Sequence, residues 1–249
     1  MFIYASLLGI AAENDKLAVV TRHGCGSLNI FGDLSIRVWN ESDLAELAND
    51  RPLRPDRNYR LSGYLQSWRY FINVSHQLRS SEFTFERAVN GKCDQLLGTI
   101  VDNVTSTLGA PNCAFVGVHA RRGDKVRLKR YRPASADYLN RAMRYMKQRL
   151  SNETKCVHFL LTGDDRKWNV DNFGHVNDVT VLPNSAREVD LCVLSRCDHT
   201  IMSVGTFGWW AAFLANGITV YQKDFAPPES GLLKITRPAD HYLPDWVPL

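Results

Sequence analysis

The sequence predicts an α/β protein with a parallel, doubly wound sheet. From residue 111 onward, short apolar segments rich in β-branched residues alternate regularly with helical segments. Several of these segments end in polar or small residues, and ligands of open α/β sheets bind beyond the carboxyl ends of the strands. A break at residues 109–112, Gly-Ala-Pro-Asn, divides the 249 residues into an amino-terminal domain, 1–110, and a carboxyl-terminal domain, 111–249.

The amino-terminal domain is predicted to be the less regular of the two. Residues 1–12 are almost all apolar and predict a buried helix, because a signal peptide would carry a basic segment first. No strand precedes this helix, so we expect the domain to lack its first strand. The other predicted elements are a strand at 17–20, a Gly-rich loop at 21–32, strand character at 34–39, a short helix at 43–49, a connector at 51–57, a strand at 60–66, a helical segment opening at 68–71, and amphipathic helices at 83–89 and 94–108.

The carboxyl-terminal domain is predicted to alternate strands and helices. Ser185 and Glu188 have the spacing of a capping box at the start of one helix. The tail, 227–249, contains five prolines and is predicted to be irregular. The predicted elements are strands at 115–118, 157–161, 179–182, 200–204 and 218–221, and helices at 136–150, 187–197 and 207–216.

Composition excludes several classes of protein. A net charge of +4 is too small to predict a nucleic-acid partner, and the longest nearly apolar run, 207–221, is too short to span a membrane. The six cysteines include no C-x-x-C pair, which argues against a zinc or thioredoxin-like site; their even number allows disulfides. Four N-x-[ST] sequons favour the secretory lumen and predict glycosylation at Asn40, Asn73, Asn103 and Asn152.

Polar residues at three predicted strand ends form the candidate site. Adjacent arginines, Arg121 and Arg122, suit a phosphate because each guanidinium is a planar fork of donors with a permanent charge. The second end, 162–165, contains Asp164 and Asp165, and the third, 203–208, is a Gly-Thr-x-Gly turn into a helix, where free backbone N–H groups favour an anion. The alternative interpretations of the three segments are, in the same order, a solvated basic loop, a helix cap and a tight turn. Taken together, the three segments predict a site for a phosphorylated nucleotide that binds without a metal.

The same segments carry a family resemblance. Residues 119–124, His-Ala-Arg-Arg-Gly-Asp, fit the H-x-R-R-x-D motif of α1,2- and α1,6-fucosyltransferases and protein O-fucosyltransferases. The block at 197–212, from Cys197 to Ala212, resembles a segment typical of galactoside α1,2-fucosyltransferases, or glycosyltransferase family 11. Residues 64–71 resemble the family's G-Y-x-Q-S-W-x-Y-F segment, and residues 220–221 with 243–246 resemble its carboxyl-terminal end.

The resemblance implies a fold, an activity and partners. It implies a GT-B-like fold of two Rossmann-like domains, with the amino-terminal one on the acceptor side and the nucleotide on the carboxyl-terminal one. It implies inverting transfer of L-fucose from GDP-β-L-fucose to the 2-hydroxyl of a terminal galactose on a glycan, with no cofactor or metal. It also implies a Golgi location, with the catalytic domain in the lumen and membrane association only through an anchor that this sequence does not contain.

The resemblance also implies residue roles. Arg122 and Arg121 would stabilise the charge on the β-phosphate as GDP leaves, and Asp124 would orient an arginine. His119 and Asp164 would lie near the nucleoside. The pyrophosphate would be held by Ser203, Gly205, Thr206 and Phe207.

Two alternatives come from other functional classes. One is a catalytically inactive fragment of the same fold, or a glycan-binding protein. The other is an adhesion module, because Arg122, Gly123 and Asp124 spell an integrin-binding tripeptide. An adhesive tripeptide needs an exposed loop tip, so the exposure of these three residues distinguishes an adhesion module from a nucleotide-binding enzyme.

Overall fold

The structure is a computed structural model, and it describes residues 1–21, 31, 37–39, 64–108, 112–128 and 130–249. Contacts divide the chain into two compact units. The first unit comprises Met1–Arg87 and Arg237–Leu243, and the second comprises Ala88–Thr236 and Pro244–Leu249. The predicted domain boundary at residues 109–112 falls within the second unit, and residues 109–111 lie outside the described part of the chain.

The first unit begins with the predicted apolar helix, α1, Phe2–Glu13. Two short strands, β1 (Val19–Thr21) and β2 (Arg37–Trp39), pair in parallel. Gly9 of α1 lies so close to the backbone of Tyr70 that a Cβ there would be 2.0 Å from the Tyr70 carbonyl oxygen. The unit continues through 3-10 turns at Trp68–Tyr70 and Ile72–Val74, a short helix α2 at Ser75–Gln77, and a π-turn at Leu78–Glu82.

The structure differs from several of the predictions for the amino-terminal half of the chain. Residues 64–66 are not a strand, as 60–66 was predicted to be, because Leu65 has a positive φ of 48° that extended backbone does not adopt. The helices predicted at 83–89 and 94–108 are one helix, α3, Arg87–Leu108, and Phe85 instead forms an antiparallel bridge with Phe31. The predicted helix at 43–49, the connector at 51–57 and most of the Gly-rich loop lie outside the described residues.

The second unit contains a parallel sheet of six strands in the order β5-β4-β3-β6-β7-β8. The central strand β3 is eight residues long, and its last five residues are buried. The strands are β3 Cys113–Ala120, β4 Cys156–Gly163, β5 Val179–Val181, β6 His199–Met202, β7 Thr219–Tyr221 and β8 Val247–Pro248.

Helices follow most of these strands, as a doubly wound sheet requires. The longest helix between β3 and β4, α5, buries the residues that recur at three- and four-residue spacing against the sheet, among them Leu139, Ala142 and Met146. The helices are α4 Gly123–Arg127, α5 Ala136–Leu150, α6 Arg166–Phe173, α7 Arg187–Ser195, α8 Thr206–Ala215 and α9 Leu232–Ile235; α10, Pro238–His241, belongs to the first unit.

The strands and helices predicted between residues 113 and 221 are confirmed, with ends that differ by a few residues. The capping box at Ser185 and Glu188 is wrong: Ala186 is the N-cap residue of α7 without a side-chain cap, and the Ser185 hydroxyl donates to Asp190 instead. The tail predicted to be irregular contains α9, α10 and the edge strand β8. Helix α6 is not among the predicted elements, but the alternative interpretation of 162–165 as a helix cap is confirmed, because Asp165 is the N-cap residue of α6 and accepts a hydrogen bond from the Trp168 N–H.

Cys113 and Cys156 are paired residues of β3 and β4, and they form a disulfide. Among the described residues, none of the helices is both long and apolar enough to cross a membrane.

The close approach at Gly9 predicts opposite effects for two glycine substitutions. Gly9→Ala should destabilise the protein by roughly 1–3 kcal/mol, because the added methyl group collides with backbone that cannot move independently. Gly98→Ala should stabilise it by up to about 1 kcal/mol, because Gly98 lies in α3 and a Cβ added there would have nothing within 4 Å. Urea unfolding of both variants measures the difference, and equal effects would contradict the packing at Gly9.

Candidate functional site

Hydrogen bonds join the three predicted strand ends at the carboxyl edge of the sheet. The Ser203 hydroxyl, after β6, accepts from the Arg121 N–H at 2.8 Å and donates to the His119 carbonyl at 3.1 Å. The Asp164 carboxylate, after β4, accepts from the Arg122 N–H at 2.7 Å. Residues of all three segments therefore meet at one place, as the sequence predicts for parallel strands.

A cavity of about 420 Å³ opens where these segments meet. Four of the predicted site residues line it: His119, Arg121, Asp164 and Phe207. The rest of its wall comes from the ends of β4 and β5, from residues that follow these strands, and from the first turns of α6 and α7. These residues include Thr162, Arg166, Asn169, Asn184, Ser185, Arg187 and Asp190. This mixture of polar donors, carboxylates and apolar side chains suits a small polar ligand.

Arg121 faces the cavity and is held by two carboxylates. Its guanidinium lies 2.6 Å from Asp124 and 2.8 Å from Asp164, and its side chain is 35% exposed. Partial burial raises the pKa of Asp124, but the hydrogen bond from Lys125 and the charges of Arg121 and Lys125 leave that pKa below its ordinary value. Asp124 therefore stays ionised and orients Arg121.

Arg122 is packed differently, although it is adjacent in sequence. Its guanidinium stacks 4.0 Å above the ring of Trp168, and Nη1 donates to the Ala134 carbonyl. Its Nε lies 3.6 Å from Asp165, and the side chain is only 17% exposed. Arg122 is not among the residues that line the cavity. The two arginines therefore divide into one that faces the cavity and one that holds the loop against α6.

His119 is a neutral imidazole in the wall of the cavity. It is buried, and its ring lies 4.8 Å from that of Phe207. Burial lowers the pKa of His119 to about 4, and the opposing charges of Asp164 and Arg121 do not reverse this shift. Gly208 leaves room for the ring, because a Cβ at that position would lie 2.9 Å from Nδ1.

The turn from β6 into α8 has the backbone that the sequence predicts. Gly205 has a φ of 97°, a conformation that favours glycine, and it precedes α8 as the N-cap residue. Ser203 is buried, whereas Thr206 is exposed at the first position of the helix. A Cβ on Gly205 would approach Arg121 Cγ to 3.9 Å, so the helix start lies beside the cavity-facing arginine. Residues predicted to bind an anion are thus next to a fixed positive charge.

Asp190 is a site residue that the sequence analysis missed. It lies in α7 and lines the cavity, where its carboxylate accepts hydrogen bonds from the hydroxyls of Thr162, at 2.7 Å, and Ser185. Burial raises the pKa of Asp190 despite these hydrogen bonds. A single acidic residue within a helix carries no motif, so only its tertiary position identifies it.

The predicted glycosylation sites differ in their surroundings. Asn103 and Asn152 are exposed, the Asn73 amide donates to the Gly9 carbonyl at 3.0 Å, and Asn40 lies outside the described residues. Glycosylation at the four sites stays a prediction. Within the described ranges, histidine, cysteine and acidic side chains form no group of three that could hold a metal.

The tripeptide Arg122, Gly123 and Asp124 lacks the geometry of an adhesive loop. Arg122 is largely buried against Trp168, and a Cβ on Gly123 would lie 2.2 Å from Asp164 Oδ2. These contacts fix the segment in the protein and argue against the adhesion interpretation.

Comparison with known proteins places the chain in a family. Residues 32–249 match the family model described as Glycosyl transferase family 11. The chain belongs to glycosyl transferase family 11. It is therefore a glycosyltransferase, and the sequence resemblance is confirmed.

Curated relatives of this family 11 chain are fucosyltransferases by name. Galactoside alpha-(1,2)-fucosyltransferase 1 of Oryctolagus cuniculus is 36% identical, over 98% of this chain and 68% of the relative. The proteins of the same name from Bos taurus and Homo sapiens are 34% and 32% identical, each over 98% of this chain and over 71% and 70% of their own lengths.

A solved structure supports the fold of the family 11 chain. Fucosyltransferase NodZ from Bradyrhizobium superposes with a TM-score of 0.52 at 13% identity, covering 84% of this chain and 87% of that one. At this identity the likeness concerns the fold alone. The fold class, α/β and GT-B-like, is confirmed.

The buried neutral His119 predicts a pH dependence of stability. An unfolded histidine has a pKa of 6.5 and the folded one of about 4, so the unfolded state binds the extra proton between these values. Stability should fall as pH decreases from about 6.5 to about 4, by about 3 kcal/mol from this residue. Chemical unfolding between pH 7 and pH 4 should give a flatter profile for His119→Gln than for the unchanged protein.

The exposed His175 supplies the control for this measurement. His175→Gln should retain the pH dependence of the unchanged protein, because His175 is exposed. Identical pH profiles for the His119 variant and the unchanged protein would show that His119 is not buried in its neutral form.

Proposed function

We propose that this chain transfers L-fucose from GDP-β-L-fucose to the 2-hydroxyl of a terminal galactose on a glycan, with inversion at the anomeric carbon. The observation that carries the proposal is the position of Arg121 in a cavity beside the start of α8, in a chain of family 11. The acceptor and the linkage rest on the names of the curated relatives.

Arg121 and the turn before α8 are suited to the diphosphate of the donor. The carbon–oxygen bond to fucose breaks as the acceptor oxygen attacks, and negative charge develops on the leaving diphosphate. A guanidinium already oriented by Asp124 and Asp164 stabilises that charge without reorganising. Backbone N–H groups after Gly205 add donors from the positive end of a ten-residue helix.

Arg122 has a positioning role in this proposal. Its stacking on Trp168 and its hydrogen bond to Ala134 anchor the residue next to Arg121. The backbone N–H of Arg122 also keeps Asp164 in place for its ion pair with Arg121. Arg122 therefore acts through Arg121 and the loop rather than on the phosphate.

The opposite wall of the cavity is suited to a guanine base. The Asp190 carboxylate can accept from the two neighbouring N–H donors on one edge of guanine, whereas adenine presents an acceptor at the matching ring nitrogen. The hydroxyls of Thr162 and Ser185 hold this carboxylate in one orientation. The neutral His119, packed on Phe207, adds a polar atom near the nucleoside without adding charge.

The proposed location is the Golgi lumen. The Cys113–Cys156 disulfide fits an oxidising compartment, and the exposed sequons at Asn103 and Asn152 fit a glycosylated protein.

Calorimetric titration combined with a transfer assay tests the proposed function. GDP and GDP-fucose should bind, ADP should bind at least about 10-fold more weakly, and fucose should appear on lactose at the 2-position of galactose. Failure to bind GDP would contradict the assignment of the cavity. Binding of GDP-fucose without transfer to any galactoside would favour the inactive or glycan-binding alternative.

Conservative substitution separates the roles of the two arginines. Arg121→Lys should reduce kcat by roughly 10²–10³-fold with little change in melting temperature, because lysine cannot hold the forked contacts at the diphosphate. Arg122→Lys should lower the melting temperature, and its activity should fall as the loop loosens. Arg127→Lys, on the exposed face of α4, is the matched control. A larger loss of kcat in a stable Arg122→Lys variant would reverse the assignment.

Metal removal tests the proposed chemistry further. Because Arg121 and the α8 turn supply positive charge at the diphosphate, transfer should persist in excess EDTA at about the untreated rate. Complete loss of transfer that manganese restores would show that Asp164 and Asp165 hold a metal instead.

A further inference from the structure

Two buried cysteines lie side by side in the second unit, outside the nucleotide cavity. Cys93 lies in α3 and Cys192 in α7, and both side chains are fully buried. The two residues are roughly 100 positions apart in sequence, so that only the fold brings them together.

Polar contacts fix α3 against α7 around these cysteines. The Arg196 guanidinium bonds to Asp94, and through Nη2 to Asn90 at 2.7 Å. The Cys192 thiol lies 3.8 Å from the same Asn90 oxygen. Asn90, Cys93 and Asp94 share one face of α3 because residues three and four apart are helical neighbours.

The two thiols are in hydrogen-bond contact with each other. We propose that Cys93 and Cys192 form a second disulfide of the mature protein, which ties α7 to α3. The chain already contains the Cys113–Cys156 disulfide, so its folding takes place where disulfides form. Neighbouring thiols in such a compartment oxidise where the geometry of a disulfide can be reached, and the hydrogen bond between these two places them side by side.

The local electrostatics distinguish the two thiols where α3 and α7 are packed. The hydrogen bond from Cys192, followed by the charge of Arg196, lowers the pKa of Cys93, whereas the hydrogen bond from Cys93 and burial raise the pKa of Cys192. Ionisation is therefore easier at Cys93 than at Cys192. A thiolate, not a thiol, is the nucleophile in disulfide exchange.

The oxidant is a disulfide, either of glutathione or of a protein oxidoreductase. The Cys93 thiolate attacks one sulfur of that disulfide and forms a mixed disulfide, releasing one thiolate. Cys192 loses its proton and attacks the Cys93 sulfur, which releases the second thiolate. The two cysteines lose two electrons and two protons, and the oxidant becomes two thiols. Because both sulfurs are fully buried in the folded unit, the exchange takes place before α3 and α7 close.

The disulfide would connect helix packing to the nucleotide cavity. Cys192 is two residues from Asp190 in α7, and Asp190 lines the cavity. Tying α7 to α3 restricts the helix that presents this carboxylate. Loss of the disulfide should therefore affect both stability and the affinity for GDP.

Peptide mapping of the unchanged protein tests the bond directly. The protein is purified without reductant, unfolded in alkylating reagent, and digested with Asp-N and trypsin together. Asp-N cleaves before Asp94 and Asp102 and so separates Cys93 from Cys113, and trypsin cleaves after Arg196 and so separates Cys192 from Cys197. We expect a linked pair of peptides that contain Cys93 and Cys192, together with the Cys113–Cys156 pair. Alkylation of both Cys93 and Cys192, or a link from either to another cysteine, would overturn the proposal. This result does not depend on activity.

Variants test the consequence. Cys93→Ala and Cys192→Ala should each lower the melting temperature by roughly 5–15 °C without reductant, and the double variant should lower it no further. Cys197→Ala is the matched control, because Cys197 is also buried but its thiol contacts the Val193 carbonyl. We expect GDP affinity to fall about 3- to 10-fold in the first two variants and to stay unchanged in the control.

Melting temperatures measured with and without a reducing agent distinguish a disulfide from simple packing of the two cysteines. If the disulfide exists, a reducing agent present during unfolding should remove the difference in melting temperature between the Cys93→Ala variant and the unchanged protein. Additive losses in the double variant, or a difference that reductant leaves intact, would mean that the two cysteines contribute packing only. If the variants fail to fold, the peptide map alone decides the proposal.

Discussion

The candidate site depends on the Asp164 carboxylate. One oxygen accepts the Arg122 backbone N–H, and the other pairs with the Arg121 guanidinium at 2.8 Å. The same carboxylate lies so close to Gly123 that no side chain fits there. An aspartate at the end of β4 thus determines the path of the loop after β3 and the direction of its first arginine. Without it, Arg121 would keep only its ion pair with Asp124, and the Arg122 N–H would lose its acceptor.

Neighbouring residues at this edge of the sheet differ in burial and in charge. Arg121 and the two carboxylates beside it are partly exposed, whereas His119, two residues earlier, is buried and neutral. Phe207 and Gly208 allow this contrast because an aromatic ring and an empty Cβ position enclose the imidazole. The neutral imidazole of His119 thus lies in a cavity whose wall also contains charged side chains, among them Arg121, Asp164 and Arg187.

The sequence predicts the carboxyl-terminal sheet well because each strand is a short apolar run that ends at a recognisable polar or glycine-containing turn. Predictions fail where tertiary contacts decide the outcome. Ser185 has the right spacing to cap α7, but its hydroxyl instead donates a hydrogen bond to the Asp190 carboxylate. Asp190 and Trp168 enter the site from helices without any local pattern. In the amino-terminal half, the positive φ of Leu65 interrupts a segment whose composition favours a strand.

The separation of the two arginines follows from backbone geometry. β3 ends at Ala120, and Arg122, with a φ of −130° and a ψ of −73°, is the N-cap residue of α4, so the chain turns from strand to helix at the arginine pair. Arg121 follows β3 on the cavity side, and Arg122 turns to the ring of Trp168. Both positions favour arginine over lysine, but for different reasons. At Arg121 the reason is a fork that contacts two carboxylates and leaves donors for a phosphate. At Arg122 it is a planar, weakly hydrated cation that stacks on an aromatic face. In the proposed function, the motif thus contains one residue for the ligand, Arg121, and one for the loop that presents it, Arg122.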